Sequence, residues 1–151
     1  MKSAALALFL IAGYAPAADD TESKKLLKDL EGSYTVTAAE LSGGSPPPGF
    51  LTSIEKLTIK GNKFSITFKS EGKSEEKAAT INVDASKKPA QIDLKPEDGD
   101  KKDQTVMGIV VIDKDAVKFC WTNAVDGKRP ADFKTSKDDK NMLLTLKKMA
   151  Q

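Results

Sequence analysis

The sequence predicts an all-β protein: an antiparallel up-and-down barrel of about eight or nine strands, preceded by a short helix. Apolar residues alternate with polar ones along most of the chain after Gly32. Turn signals recur about every 8 to 12 residues and leave no room for a long crossover. Consecutive hairpins favour a barrel over a sandwich because closure removes exposed strand edges, which promote aggregation.

The first segment, residues 1–18, has the pattern of a secretory signal peptide. Lys2 is followed by a mostly apolar run, Ser3–Ala12, and then by small residues up to Ala18. The run is shorter than the roughly 20 residues of a membrane-spanning helix. We therefore expect export to the periplasm or out of the cell, no membrane span, and a single mature domain over residues 19–151.

The mature chain is expected to begin with one or two turns of helix. Leu26, Leu27 and Leu30 give a short apolar stripe within Asp19–Glu31, and Gly32 is a plausible stop. Beyond Gly32 the period changes to two, which predicts a first strand containing Tyr34, Val36 and Ala38.

Several later segments read as hairpins and loops. The run Ser42–Gly49, rich in proline and glycine, predicts a loop. Lys60-Gly61-Asn62-Lys63 predicts a tight turn between two alternating strands, and Glu71-Gly72 a second turn into a charged, edge-like strand. Further strands are expected around these apolar groups: Ile81 and Val83; Ile92 and Leu94; Val117, Phe119 and Trp121; a short segment at Phe133; Met142, Leu144 and Leu146.

The segment Gln104–Ile112 is the most apolar of the mature chain. Both of its faces are apolar, so we expect it to be covered on both sides. The acidic stretch Glu97–Asp103 before it and Asp113-Lys114-Asp115 after it are expected to be turns.

Composition excludes several classes of function. The chain of 151 residues has a formal net charge of +2, with 24 basic and 22 acidic side chains interspersed, and this does not suit a nucleic-acid partner. It contains no histidine, which removes histidine bases and histidine-ligated zinc. The single cysteine, Cys120, excludes an internal disulfide and is expected to be buried.

Acidic residues leave two other chemistries open. A carboxylate pair could serve a hydrolase, but 22 acids give such a pair no specificity. Asp98, Asp100 and Asp103 could offer oxygens to calcium, yet their spacing does not match an EF-hand and lysines interrupt it. We expect a solvated turn there, no metal, no cofactor and no enzymatic activity.

Four residues are candidates for closing the barrel or contacting a ligand: Tyr34, Asp93, Trp121 and Arg129. Arg129 is the only arginine and precedes a rigid Pro130. Its planar fork can hold a carboxylate or stack on a ring, so we expect it to pin one end of the fold by pairing with Asp93 or by lying on Trp121 or Tyr34.

Taken together, four motifs are similar to an uncharacterised domain family abundant in planctomycete exported proteins. They are Leu30-Glu31-Gly32-Ser33-Tyr34-Thr35-Val36, Lys88-Pro89 to Asp93, Phe119-Cys120, and Arg129-Pro130 with Phe133. The resemblance covers nearly the whole mature chain, although the family typically has tryptophan where this chain has Tyr34. It implies a lipocalin-like barrel and brings no activity or catalytic residues. By analogy with that fold, Arg129 would pack across Tyr34.

Two functions remain open from the sequence. The first is a non-enzymatic binding module whose barrel takes up a small apolar or amphipathic molecule, with the loop Ser42–Phe50 at its opening. Such a module requires that Phe64, Phe68, Phe119 and Trp121 do not fill the interior. The alternative is a protein-interaction or cell-envelope structural domain that acts through an apolar patch on its outer surface, with an envelope protein as a possible partner. The sequence does not indicate the oligomeric state.

Overall fold

The computed structural model describes residues 20–124 and 127–150, so the predicted signal peptide lies outside the described residues. Ten regular elements follow one another in this part of the chain. They are α1 (Asp20–Asp29), β1 (Gly32–Leu41), α2 (Phe50–Ser53), β2 (Ile54–Lys60), β3 (Lys63–Ser70), β4 (Lys73–Asp84), β5 (Ala90–Pro96), β6 (Val106–Asp113), β7 (Ala116–Thr122) and β8 (Asn141–Lys148).

The eight strands form one closed barrel. Each strand pairs antiparallel with the next, and β8 closes the ring on β1 from Tyr34↔Lys148 to Leu41↔Met142. A register shift between Val36 and Ala38 marks an irregularity in this seam. The predicted up-and-down barrel with a short N-terminal helix is confirmed.

The core lies inside the barrel because the alternating apolar residues point inward. Every strand contributes to this interior. Its most deeply buried members are Leu30, Tyr34, Leu57, Ile59, Ile92, Val110, Phe119, Leu144 and Leu146.

Alternate connections place the loops at two opposite ends, which we call the floor and the mouth. The floor carries α1 and the turns after β2, β4 and β6, and the mouth carries the connections after β1, β3, β5 and β7. Leu26 and Leu27 of α1 pack against the core, and Leu30, just after the helix, belongs to it. Ser23 Oγ accepts the Ala85 N–H at 3.0 Å, which ties α1 to the turn after β4.

The predicted hairpins are confirmed, including the charged edge-like start of β4. Residues Lys73 to Ala78 pair with β3 alone, because pairing with β5 begins at Ala79↔Pro96. On that side of the mouth, β4 therefore extends beyond the end of β5 and has no neighbour on its β5 side.

Four local predictions need correction. Helix α1 spans 10 residues, longer than the one or two turns expected. Helix α2 was not predicted, because four residues after a Pro/Gly loop show no periodicity. No strand forms around Phe133 in the described part of the chain; residues 127–140 instead make an irregular outer segment. Strand β6 is covered on both faces only in its middle, since Ile112 is 37% exposed.

Neither helix of the described chain has the length and apolar character that a bilayer crossing requires.

Candidate functional site: a pocket at the barrel mouth

A pocket of about 380 Å³ lies at the mouth, between the inner faces of β3 to β7. This volume falls within the range of small-molecule sites, which begins near 300 Å³. Most of the lining is apolar and comes from inward-facing side chains of five strands. They are Phe64, Ile66, Ala79, Leu94, Pro96, Val106 and Trp121, and Ala78 adds to the lining from the neighbouring position of β4.

Three aromatic rings fill the barrel interior behind this pocket. Phe64 and Phe119 meet edge to face, with ring centroids 6.2 Å apart and an interplanar angle of 86°. Phe119 and Trp121 are 6.4 Å apart and tilted by 52°. Phe64 and Trp121 line the pocket, whereas Phe119 is fully buried. The interior is therefore filled in its middle and open at the mouth, and the three aromatic rings form the base of the pocket.

Gly108 allows β6 and β7 to approach each other closely at Trp121. It is the register partner of Trp121 on β6. A Cβ at position 108 would lie 2.8 Å from the Cys120 carbonyl oxygen and 3.0 Å from Trp121 Cβ, closer than such atoms pack. Only glycine leaves β6 and β7 this close at that point.

The rim of the pocket carries charges of both signs. Lys77, Asp98, Asp100 and Lys101 line it together with Asn123. Lys77 Nζ forms an ion pair with Glu75 Oε1 at 2.5 Å. The hydrogen bond and the charge of Glu75, and more weakly the charges of Asp98 and Asp100, raise the pKa of Lys77, so its amine stays cationic at neutral pH.

A second rim amine is held by the backbone. Lys101 Nζ donates to the Asn123 carbonyl oxygen at 3.4 Å, which links the β5–β6 loop to the end of β7. An apolar interior beneath a polar, charged rim suits an amphipathic molecule.

Sequence reasoning identified Trp121 but missed the rim residue Lys77. The signal was present in the alternation: Ala79, Ile81 and Val83 face inward, so counting back by two places Lys77 on the same face. Its charge made the segment look like solvated surface. Asp98 and Asp100 belong to the acidic stretch Glu97–Asp103, which the sequence predicts to be a solvated turn.

The loop after β1 does not border this pocket, contrary to expectation. It lies at the mouth end, but the pocket is bordered by the β5–β6 loop instead. The Pro/Gly segment lines a separate hollow beside the end of β1, with Pro46, Pro47 and Pro48 in its wall. The barrel is open where the first half of β4 has no pairing with β5, and not beside the Pro/Gly loop after β1.

The other predicted site residues lie away from the pocket. Tyr34 is buried in the interior near the floor, where its hydroxyl donates to the Leu30 carbonyl oxygen at 2.6 Å. Burial raises the pKa of the Tyr34 phenol. Tyr34 therefore joins the floor helix to the first strand.

Arg129 pairs with Asp93, one of the three partners predicted for it. Its Nη2 lies 2.7 Å from Asp93 Oδ1. Its Nη1 donates to the Gly108 carbonyl oxygen at 2.8 Å and to that of Ile92 at 3.3 Å. The contact with Oδ1 is ionic rather than a well-aligned hydrogen bond, since this buried oxygen has no hydrogen-bond partner among the described residues.

This arrangement places Arg129 outside the barrel. Asp93 lies on the face of β5 opposite Ile92 and Leu94, which face the core. The described hydrogen bonds of Arg129 reach β5 and β6 rather than Tyr34 at the floor. Arg129 attaches the outer segment to the wall.

Cys120 lies beneath the outer segment and is fully buried, as predicted. Its Sγ approaches the Lys134 carbonyl oxygen at 3.8 Å. Burial raises the pKa of the Cys120 thiol to about 11, so the thiol is neutral at physiological pH.

Within residues 20–124 and 127–150, no three acidic or cysteine side chains gather to hold a metal ion. Comparisons with protein-family models, with curated proteins and with solved structures found no match to this chain. The pocket geometry alone therefore carries the functional argument.

Proposed function

We propose that this protein is an exported, non-enzymatic binding module that takes up a small apolar or amphipathic molecule at the barrel mouth. The observation that carries the proposal is the apolar pocket of about 380 Å³ beneath a charged rim. An apolar ligand part would rest on Phe64 and Trp121, and a polar head group would meet Lys77 and Asp98. The N-terminal pattern of the sequence supports export.

Two features support binding over the alternatives. The chain contains no histidine, and no catalytic motif occurs in it. The alternative of an outer-surface interaction domain calls for a large apolar patch, but the large apolar side chains exposed in the described chain are Ile112 and Met149. A retained small molecule in native mass spectrometry of protein from its own host would favour the pocket.

Intrinsic fluorescence offers a direct test, because Trp121 is the only tryptophan of the chain and lines the pocket. Titration with dodecanoate and, separately, with dodecylamine is expected to change this fluorescence in a saturable way. The two probes carry opposite charges, so their relative affinities report whether the lysines or the aspartates of the rim dominate.

A matched pair of variants tests the location. Val106→Phe fills the pocket from β6, and Val111→Phe makes the same change on the outer face of the same strand. We expect Val106→Phe to weaken probe binding about tenfold or more, which corresponds to about 1.4 kcal/mol, and Val111→Phe to leave it unchanged. Equal affinities in both variants, or no saturable signal with either probe, would overturn the proposal.

A further inference from the structure

A second hollow, of about 650 Å³, lies outside the barrel near the floor. Four lysines line it, contributed by three different elements: Lys28 from α1, Lys56 and Lys60 from β2, and Lys148 from β8. All four are exposed. We refer to this set as the lysine hollow.

The lysines are not neutralised by nearby acids. None of the ion pairs among the described residues involves any of the four. Glu31 is the only acidic side chain in the lining, and its Oε1 already accepts the Gly61 N–H at 3.0 Å. The hollow thus carries an excess of positive charge in a chain whose overall charge is close to balanced.

The hollow also offers neutral hydrogen-bond donors. Ser33 and Thr58 line it from β1 and β2, and their hydroxyls lie 3.4 Å apart. Lys56, Thr58 and Lys60 occupy alternate positions of β2, so they point to the same outer face. Two amines on either side of a hydroxyl, on one rigid strand, are positioned to surround a compact anion.

We propose that the lysine hollow binds a multivalent oxyanion, a phosphate group carried either by a soluble molecule or by a lipid head group. Lysine amines bind phosphate as point charges, and serine and threonine hydroxyls donate to its remaining oxygens. A monovalent carboxylate would neutralise only one of the four amines. This site is separate from the mouth pocket and does not depend on it.

Two of the lysines have structural roles that make them unsuitable for a test. Lys28 lies in the last turn of α1, where a cation also stabilises the negative end of the helix. Lys148 packs on Gly32, since a Cβ there would lie 2.5 Å from Lys148 Cε. Lys56 and Lys60 have neither role and are the residues to change.

The test is isothermal titration calorimetry of the whole mature protein with inorganic pyrophosphate at low salt. The variant is Lys56→Gln with Lys60→Gln. The control is Lys69→Gln with Lys73→Gln, which removes the same charge from exposed lysines at the mouth end. We expect saturable binding that weakens about tenfold or more in the variant, stays unchanged in the control and falls as salt is added.

Sedimentation with phosphatidylglycerol-containing vesicles distinguishes the two sources of phosphate. Vesicle binding that pyrophosphate displaces would indicate a lipid head group; pyrophosphate binding without vesicle binding would indicate a soluble molecule. Absence of both, or binding that the variant and the control weaken equally, would overturn the proposal. A far-ultraviolet circular dichroism spectrum and a urea midpoint equal to those of the wild type show that the fold of the variant is intact.

Discussion

Arg129 is the residue that joins the outer segment to the barrel wall. Its guanidinium contacts Asp93 and two carbonyl oxygens, on β5 and β6, at the same time. Only 20% of the Arg129 side chain is exposed, so these contacts form in a partly desolvated place. A lysine, with a single amine, could not reproduce this fork, which explains why the single arginine of the chain stands here.

We expect Arg129→Gln to lower the free energy of unfolding by about 2–3 kcal/mol, because it leaves the partly buried Asp93 without its cation. Urea denaturation measures this change. Lys63→Gln is the matched control, because it breaks the ion pair of Lys63 with Glu97. These two side chains are 57% and 44% exposed, so the free energy of unfolding should fall by less than about 1 kcal/mol. Similar losses in both variants would show that the outer segment is held by other contacts.

The identity of the Arg129 partner was only partly predictable. The sequence limited it to a carboxylate or an aromatic ring, because those are the groups a guanidinium prefers. The choice of Asp93 depends on the pairing of β5 with β6 and on the path of residues 127–140, which have no periodicity to read.

Helix α1 forms the floor of the barrel, and its contacts are of two kinds. Leu26 and Leu27 pack on the core, while the Tyr34 hydroxyl reaches from the interior to the Leu30 carbonyl oxygen, just after the helix. The apolar spacing of the leucines predicted the helix. The hydrogen bond was not predictable, because a tyrosine in an alternating strand reads as an ordinary core residue.

Tyr34→Phe is expected to lower the free energy of unfolding by about 1–2 kcal/mol, because it leaves the Leu30 carbonyl oxygen without that donor. Thr37→Val is the control, since it removes an exposed hydroxyl that donates to the Thr145 carbonyl oxygen at 3.1 Å. It should change stability by less than about 0.5 kcal/mol. A Tyr34→Phe protein as stable as the wild type would mean that the leucines alone hold the floor.

The strands were the most predictable elements. A period of two is imposed by the pleat wherever one face meets the core, so the sequence of β2, β3, β5 and β7 carries it directly. The helix α2 and the outer segment were not predictable because they have no such period. Their side chains contact the barrel one by one and leave no repeat in the sequence.

At the scale of the whole molecule, closure makes the strands depend on one another. Each strand has two neighbours, and β1 and β8 close the ring over seven register pairs. Closure was predictable from the short hairpins. The position of the mouth pocket was not, because it depends on how far β4 extends beyond β5.

We expect the protein to unfold in one cooperative transition. Far-ultraviolet circular dichroism, Trp121 fluorescence and labelling of the Cys120 thiol should give the same urea midpoint. The aromatic base and the barrel wall share one core, and Cys120 is buried in that wall. Trp121 fluorescence that changes at lower urea than circular dichroism would show instead that the mouth opens on its own.

The last strand ends next to the start of the first strand. The Met149 N–H donates to the Ser33 carbonyl oxygen at 2.8 Å, so β8 ends beside the beginning of β1. A reporter protein or a surface tether joined at either end would thus emerge on the side opposite the mouth. Immobilised in this way, the molecule would still present its opening to the surrounding solution.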